Sequence, residues 1–353
     1  MPDYRKILAN EPVLASAPCR LDLGGTLDLS IFYNTLRCVD PCTFNLALDL
    51  RTTVRLLPYR SGRVMITSRG FKAADYRADR VPFDHPLGLM FAVAAYFHAE
   101  GVHIEIDSAS PPRSALGGSS VAAVALAAAL LKVERDPPLS ATVRKQISLL
   151  THAIEESTAG VPCGRQDHLA AAFGGVNAWY WIPDIRGFAF KRAPVMNTRR
   201  AGRFQEHLLL AYVGIPHESK DINAKWVRQF ASGKFRGDWL KIVASTKKFI
   251  DALSRNNYKG AIVAMNRETA IRRKMTPDVL DPLGDRLVDE AVRHGCAARF
   301  TGAGGGGCIW ALGFPADIDR LRPIWQGILG SRRGAGLLDT RIDTRGVQYG
   351  VAG

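Results

Sequence analysis

No apolar run in this sequence reaches the ~18–20 residues needed to cross a membrane. The longest, Val121–Leu131, falls well short and is half alanine. Cysteine is scarce and scattered: Cys19, Cys38, Cys42, Cys163, Cys296 and Cys308. Only Cys38 and Cys42 are close, and their spacing is neither a zinc-site nor a redox pair, so free thiols are expected. Aromatics make up only 8%. None interleave with the densest basic runs, Lys191–Arg203 and Arg272–Lys274, as a base-stacking surface would require. Acidic residues are outnumbered, 33 against 47, leaving a net charge of +14. That excess is spread along the chain, which fits a phosphate-handling enzyme better than a polyanion binder. There is no internal repeat and no low-complexity segment. Asp3, Glu11, Asp22 and Asp28 leave no signal-peptide core in the first 30 residues. The expectation is a cytoplasmic protein with neither a membrane nor a nucleic acid as partner, acting as a monomer or homodimer. A length of 353 residues suggests about two domains.

What is present alternates between strand and helix signals. Thr52–Leu57, Val64–Ser68 and Val102–Ser108 follow the two-residue period of half-buried strands. Helical stretches are expected over Leu87–Ala99, Val121–Val133 and Ser140–Ser157, and from Gln166, with a strand near Asn177–Pro183. The weakly periodic, basic Lys191–Arg203 reads as the connection between domains 1–195 and 196–353. Beyond it come a strand near Leu208–Gly214 and helices over about 221–232, 239–256, 258–274 and 282–294. Strand-like Ala298–Phe300 and Cys308–Leu312 flank a glycine loop. Mixed strands and helices in both halves argue an α+β fold.

Chemistry gathers first in Pro111–Ser120, Pro-Pro-Arg-Ser-Ala-Leu-Gly-Gly-Ser-Ser, which leads into the Ala-rich helix. Glycines let a backbone approach an anion closely. Ser119 or Ser120 at the helix N-cap would leave free N–H groups and a positive partial charge facing a phosphate. A serine hydroxyl there can reach a Mg²⁺ held between nucleotide phosphates. An ordinary strand–turn–helix with a good cap would use the same residues, and no Gly-Lys-Ser/Thr ends the loop as in a Walker A sequence.

The segment resembles the second motif of the GHMP kinase superfamily, usually Pro-Pro-x-x-x-Leu-Gly-Ser-Ser-Ala. Ala17–Asp28 (Ala-Pro-Cys-Arg-Leu-Asp-Leu-Gly-Gly-Thr-Leu-Asp) resembles the family's first motif. Phe300–Cys308 (Phe-Thr-Gly-Ala-Gly-Gly-Gly-Gly-Cys) resembles the third. Glu155–Asp167 is similar to the galactokinase stretch that carries a metal-binding glutamate and the catalytic aspartate. Gln166-Asp167 with Ala170–Gly175, and the Gly-Gly-Thr form of the first motif, are closer to the heptose-7-phosphate kinases.

The resemblance implies an N-terminal domain like ribosomal protein S5 domain 2, a ferredoxin-like C-terminal domain, and an active site between them. It implies ATP and Mg²⁺ as cofactors and a sugar or sugar phosphate as acceptor, phosphorylated at its anomeric hydroxyl. D-glycero-D-manno-heptose 7-phosphate or a similar mannose-type sugar comes first, and galactose- or fucose-type sugars second. By the same resemblance Asp167 is the base or orienting group and Arg20 its partner. Pro112, Ser114, Leu116, Gly117, Gly118, Ser119 and Ser120 hold the nucleotide, and Ser119 and Glu155 hold the metal. Asp28, Gly25, His217, Gly304 and Gly305 face the substrate, and Arg113 or Lys220 is a candidate for a substrate phosphate.

Two departures stand out. Gly118 replaces a serine usual in the family, and Leu27 shifts Asp28 by one residue. A non-catalytic sugar sensor on the same scaffold should have lost its base or metal ligand, and this chain keeps both. The Gly164–Asp167 spacing disfavours a mevalonate-pathway kinase.

Overall fold

Eight strands of the computed structural model form one sheet because their apolar residues alternate toward, or lie wholly within, a single helix-backed core. The model describes residues 2–160, 162–183, 190–216 and 219–350. The strands are β1 (Val13–Leu23), β2 (Cys42–Pro58), β3 (Arg63–Ser68), β4 (Ala74–Arg77), β5 (Val102–Ser108), β6 (Val176–Trp181), β7 (Phe190–Pro194), β8 (Leu208–Tyr212), β9 (Ala297–Phe300), β10 (Cys308–Leu312), β11 (Gly336–Leu337) and β12 (Gln348–Tyr349). The first sheet runs β12-β1-β2-β5-β3-β4, with β6 on β2 and β7 on β6. The second runs β11-β8-β10-β9. The long β2 serves both halves of the first sheet, pairing β5 through Thr52–Pro58 and β6 through Cys42–Leu46. Among the described residues only β3 and β5 run parallel.

The helices are α1 (Tyr4–Asn10), α2 (Ser30–Thr35), α3 (Gly88–Tyr96), α4 (Gly118–Arg135), α5 (Ala141–Ala159), α6 (Gln166–Phe173), α7 (Thr198–Phe204), α8 (Ser219–Ala231), α9 (Arg236–Ser254), α10 (Tyr258–Met275), α11 (Pro282–Arg293) and α12 (Pro315–Leu329). Helix α4 buries eleven consecutive residues, Ser120 to Leu130. Its alanines are small enough for the helix to lie close on β1 and β2 while α3, α5 and α6 pack around it. Helix α11 begins on an Asp281 side-chain cap with Pro282 in its first turn, and Gly295 just beyond its end has φ +76°. The two-domain α+β expectation holds. The basic stretch expected as a connection is instead structured. Its first part is edge strand β7 on β6, and its second is α7, capped by Asn197.

The last strand among the described residues returns to the first sheet, where β12 pairs with Ala15 and Ser16 of β1. The tail is fixed on the way by Asp343. Its carboxylate takes the Arg51 guanidinium and the backbone N–H groups of Arg345 and Gly346. Thr340 donates to Asp49 at 2.8 Å. A Cβ at Gly346 would come within 2.5 Å of the Ala172 carbonyl oxygen, so only glycine lets the tail lie this close.

Candidate active site

The loop before α4 is held from both sides. On one side, Arg20 of β1 donates its backbone N–H to the Leu116 carbonyl (3.2 Å) and its Nη1 to the Ala115 carbonyl (2.6 Å). On the other, Gly307 is so close that a Cβ would stand 2.6 Å from the Ser114 carbonyl oxygen. Arg113 and Ala115 have φ values of +52° and +61°. Left-handed backbone costs a non-glycine residue roughly 1–2 kcal/mol, so these contacts must outweigh that cost.

The capping expectation needs correction. Neither Ser119 nor Ser120 is the N-cap. Gly117 is, at φ +82°, and α4 starts at Gly118. The two serines lie in the first turn, where backbone N–H groups have no intrahelical partner, and their hydroxyls turn to Glu155. Ser119 donates to Oε1 (3.0 Å) and Ser120 to Oε2 (2.7 Å). His168 Nε2 lies 2.8 Å from the same Oε2. Burial pushes the Glu155 carboxyl up, but His168 and the two serines outweigh it and hold it below its usual range. One carboxylate beside one exposed hydroxyl, with no third acidic or imidazole ligand among the described residues, is a donor set for a hard cation completed by phosphate oxygens and water.

Asp167 stands in the first turn of α6, and its carboxylate is forked by Arg20. Nε reaches Oδ1 at 2.7 Å and Nη2 reaches Oδ2 at 3.0 Å. A Cβ on Gly117 would be 3.2 Å from this carboxylate, so the phosphate loop and the aspartate touch. Burial opposes the charge on Arg20, but Asp167 and Asp22 overcome it and raise its pKa above the ordinary arginine value. Behind Arg20 lies a set of charges at 0% exposure, Asp22, Glu268, Arg272 and Arg299. Arg299 links Glu268 (2.9 Å) to Asp22 (3.3 Å). Arg272 bonds Glu268 (2.9 Å) and the Gly25 carbonyl (2.6 Å), its guanidinium 4.6 Å from the ring centroids of both Trp226 and Trp239.

A cavity of about 610 Å³ runs over these groups. It is lined by Pro112, Ser114, Gly117, Gly118, Ser119, Ser120, Glu155, Arg20, Asp167, Asp28 and Arg113, all expected from the sequence. Asp28 is 4% exposed and accepts from the Gln166 N–H at 3.1 Å. Burial raises its pKa to about 6, partly offset by that hydrogen bond and reinforced by the charge of Asp167. Gly164 abuts Asp28 so closely that a Cβ would lie 2.0 Å from Oδ2. Thr26 and Asn223 complete this end, their side-chain oxygens 3.4 Å apart.

Four expected residues do not line the cavity. Leu116 is in the core and serves the site through its carbonyl. Gly25 makes room for Asp22 and Gln166, and Gly304 and Gly305 make room for Val279 and Ile222. His217 lies outside the described residues.

The other end of the cavity is apolar and was missed. Phe71, Pro86, Leu87, Leu89, Met90 and Ile106 line it with Ser68 and Arg69. They come from the β3–β4 turn, the start of α3, and β5, and no spacing in the sequence joins them. An apolar wall beside a glycine loop has the chemistry to hold a nucleotide base.

With this geometry in view, comparison with known proteins is direct. Residues 87–175 match the model of the GHMP kinases N-terminal domain, and residues 249–326 match that of the GHMP kinases C-terminal domain. The mevalonate kinase of Pyrococcus abyssi is 26% identical over 328 residues, covering 85% of this chain and 88% of that one. A D-glycero-D-manno-heptose 1-phosphate kinase from Bacteroides thetaiotaomicron superposes with a TM-score of 0.71 at 18% identity, covering 96% of this chain and 99% of the other. A galactokinase of Lactococcus lactis gives 0.71 at 17%, covering 98% and 97%. At these identities the two structural likenesses establish the fold alone.

Proposed function

We propose that this chain, which belongs to the GHMP kinases and is an ATP-dependent kinase, phosphorylates the anomeric hydroxyl of a sugar or sugar phosphate. D-glycero-D-manno-heptose 7-phosphate or a similar mannose-type sugar is the first acceptor, and a galactose- or fucose-type sugar the second. The observation that carries this reading is the pair of carboxylates at one end of the cavity. Asp167 is forked by Arg20, and buried Asp28 lines the same cavity. A carboxylate can accept from two neighbouring hydroxyls at once, which suits a polyol. We take residues 1–195 as the nucleotide-binding domain and 196–353 as the second, with β12 lent back to the first sheet.

In this reading each group has a role. The base lies against Phe71, Leu89 and Met90, and the phosphates face the loop and the open N–H groups of α4. Ser119 and Glu155 fit Mg²⁺, which when bound neutralises charge on those phosphates. Asp28 fixes the sugar so that its hydroxyl oxygen points in line at the γ-phosphorus. Asp167 orients that hydroxyl and takes its proton as the new O–P bond forms and ADP leaves. Arg20 holds both Asp167 oxygens in place and offsets the charge that develops. Carboxylates are weak bases, so positioning contributes more than proton abstraction.

A second reading has its own observation: the mevalonate kinase likeness at 26% identity favours a hydroxy acid as acceptor. Against it, mevalonate has no pair of neighbouring hydroxyls for Asp28 to accept from. The test is ADP release with Mg-ATP across heptose 7-phosphate, mannose, galactose, fucose, hexose phosphates and mevalonate, with phosphorus NMR of the product. Turnover of a sugar at its anomeric oxygen is expected, and turnover of mevalonate alone would overturn the proposal. Asp167→Asn should abolish transfer while ATP still binds. Activity within about tenfold of wild type, ~1.4 kcal/mol, would remove Asp167 from its role.

A further inference from the structure

Behind the hydroxyl–carboxylate pair stands a histidine that the transfer chemistry leaves unused. His168 follows Asp167 in α6 and is completely buried. Its Nε2 is 2.8 Å from Glu155 Oε2, the oxygen that also accepts from buried Ser120 at 2.7 Å. The other oxygen, Oε1, meets only exposed Ser119, at 3.0 Å. The His168 ring packs edge-on against His152, centroids 5.5 Å apart. His152 is anchored in turn, its Nε2 2.9 Å from the Cys163 carbonyl oxygen. One oxygen of Glu155 is therefore flanked from behind by two buried groups, Ser120 as hydrogen-bond donor and His168 at ion-pair distance, and the other oxygen faces exposed Ser119 on the cavity wall.

We propose that His168 is a positioning residue: it fixes the carboxylate of Glu155 in the orientation that presents Oε1 to a divalent cation. This rests on the reading of Glu155 as a metal ligand. The physical reason is preorganisation. A carboxylate whose last torsion is frozen by folding loses no further freedom when a cation arrives. Partners that orient a metal ligand in this way change metal affinity by about 10–100-fold when removed.

The test uses Mn²⁺ as the probe. Free Mn²⁺ is counted by electron paramagnetic resonance in the presence of the full chain and a non-hydrolysable ATP analogue. His168→Gln places an amide nitrogen where Nε2 was. His168→Asn places one where Nδ1 was, too short to reach Glu155. Both keep a polar group in the pocket, so a folding defect common to both is separated from the contact. The Asn variant should bind Mn²⁺ about 10–100-fold more weakly than wild type and the Gln variant within about threefold, with Glu155→Gln weakened at least as much as the Asn variant. If Glu155→Gln loses Mn²⁺ and both His168 variants hold it like wild type, or both lose it equally, the inference is overturned and the ligand reading stands. If Glu155→Gln binds like wild type, the ligand reading itself fails and takes the inference with it.

Discussion

Gly117 and Gly118 are neighbours, yet the structure gives the same substitution opposite outcomes at the two positions. Gly117 has φ +82°, and a Cβ there would sit 3.2 Å from the Asp167 carboxylate carbon and one of its oxygens. Gly118 is already helical, and a Cβ on it meets nothing within 4 Å. Gly117→Ala carries roughly 1–2 kcal/mol of left-handed strain. In a chain of this size that lowers Tm by about 1–3 °C. The greater effect is on rate. To accommodate the methyl group, Asp167 must withdraw by a few tenths of an ångström, drawing against the Arg20 fork. Displacing a reacting group by about 1 Å costs on the order of 10²-fold, so a fall in kcat of about 10–100-fold is expected. Gly118→Ala gains up to about 1 kcal/mol of helix propensity, reduced at the first helical position, and should leave kcat within about threefold. Gly118→Ser, which restores the hydroxyl usual in the family, should be equally well tolerated. The assay pairs a melting curve with initial rates on the acceptor found by the panel. Equal loss in both alanine variants, or a Gly117→Ala enzyme at full rate, would show that contact between loop and aspartate does not set the rate.

Three other expectations follow from the same geometry. Arg20→Lys replaces a fork on both Asp167 oxygens by a point charge and should lower kcat by about 10²-fold with little change in the KM for ATP. A loss under about tenfold would show that charge alone suffices. Asp28 must be ionised to accept sugar hydroxyls, and burial raises its pKa to about 6. The acceptor KM should thus be flat above that pH and rise below it, approaching tenfold per unit, and a KM unchanged at pH 5 would exclude the role. Glu268→Ala leaves Arg272 and Arg299 buried without their carboxylate and should cost about 3–5 kcal/mol, read as a lowered denaturant midpoint. An unchanged midpoint would mean water or Asp22 compensates.

The sequence was most legible where one physical signal acts alone. The alternation in Val102–Ser108 and the helical stretches 140–157 and 282–294 match elements that begin and end within a residue or two of them. Strand β1 escaped because Ala17–Leu23 is buried on both faces, which erases the two-residue period, and Pro18 interrupts it. The start of β2 is hidden for the same reason. The serine N-cap failed because a left-handed glycine can begin a helix without a side-chain cap, and φ is not written in composition. At the site, the glycine loop was readable as an anion cradle from its own residues, whereas Asp167, Glu155, Asp28 and Arg20 were named through the family resemblance; the structure brings them to one cavity. The apolar wall was not legible, since three distant segments build it. Arg272 is the sharpest misreading: in sequence it opens a basic run, and in the fold it is wholly buried, with Glu268 one helical turn before it as the only hint.

The return of β12 to β1 also bears on how the chain is made. The ribosome delivers β1 near the beginning and β12 only after every element of the second sheet has emerged. Throughout that interval the outer edge of β1 at Ala15 and Ser16 is bare, and a bare edge is a template for pairing with the wrong strand. The nascent first domain therefore waits in an open form, and its completion is timed by the translation of the second. A stalled or prematurely released chain would retain the phosphate loop, Arg20 and Asp167 but expose that edge, a substrate for chaperones and proteases rather than a kinase.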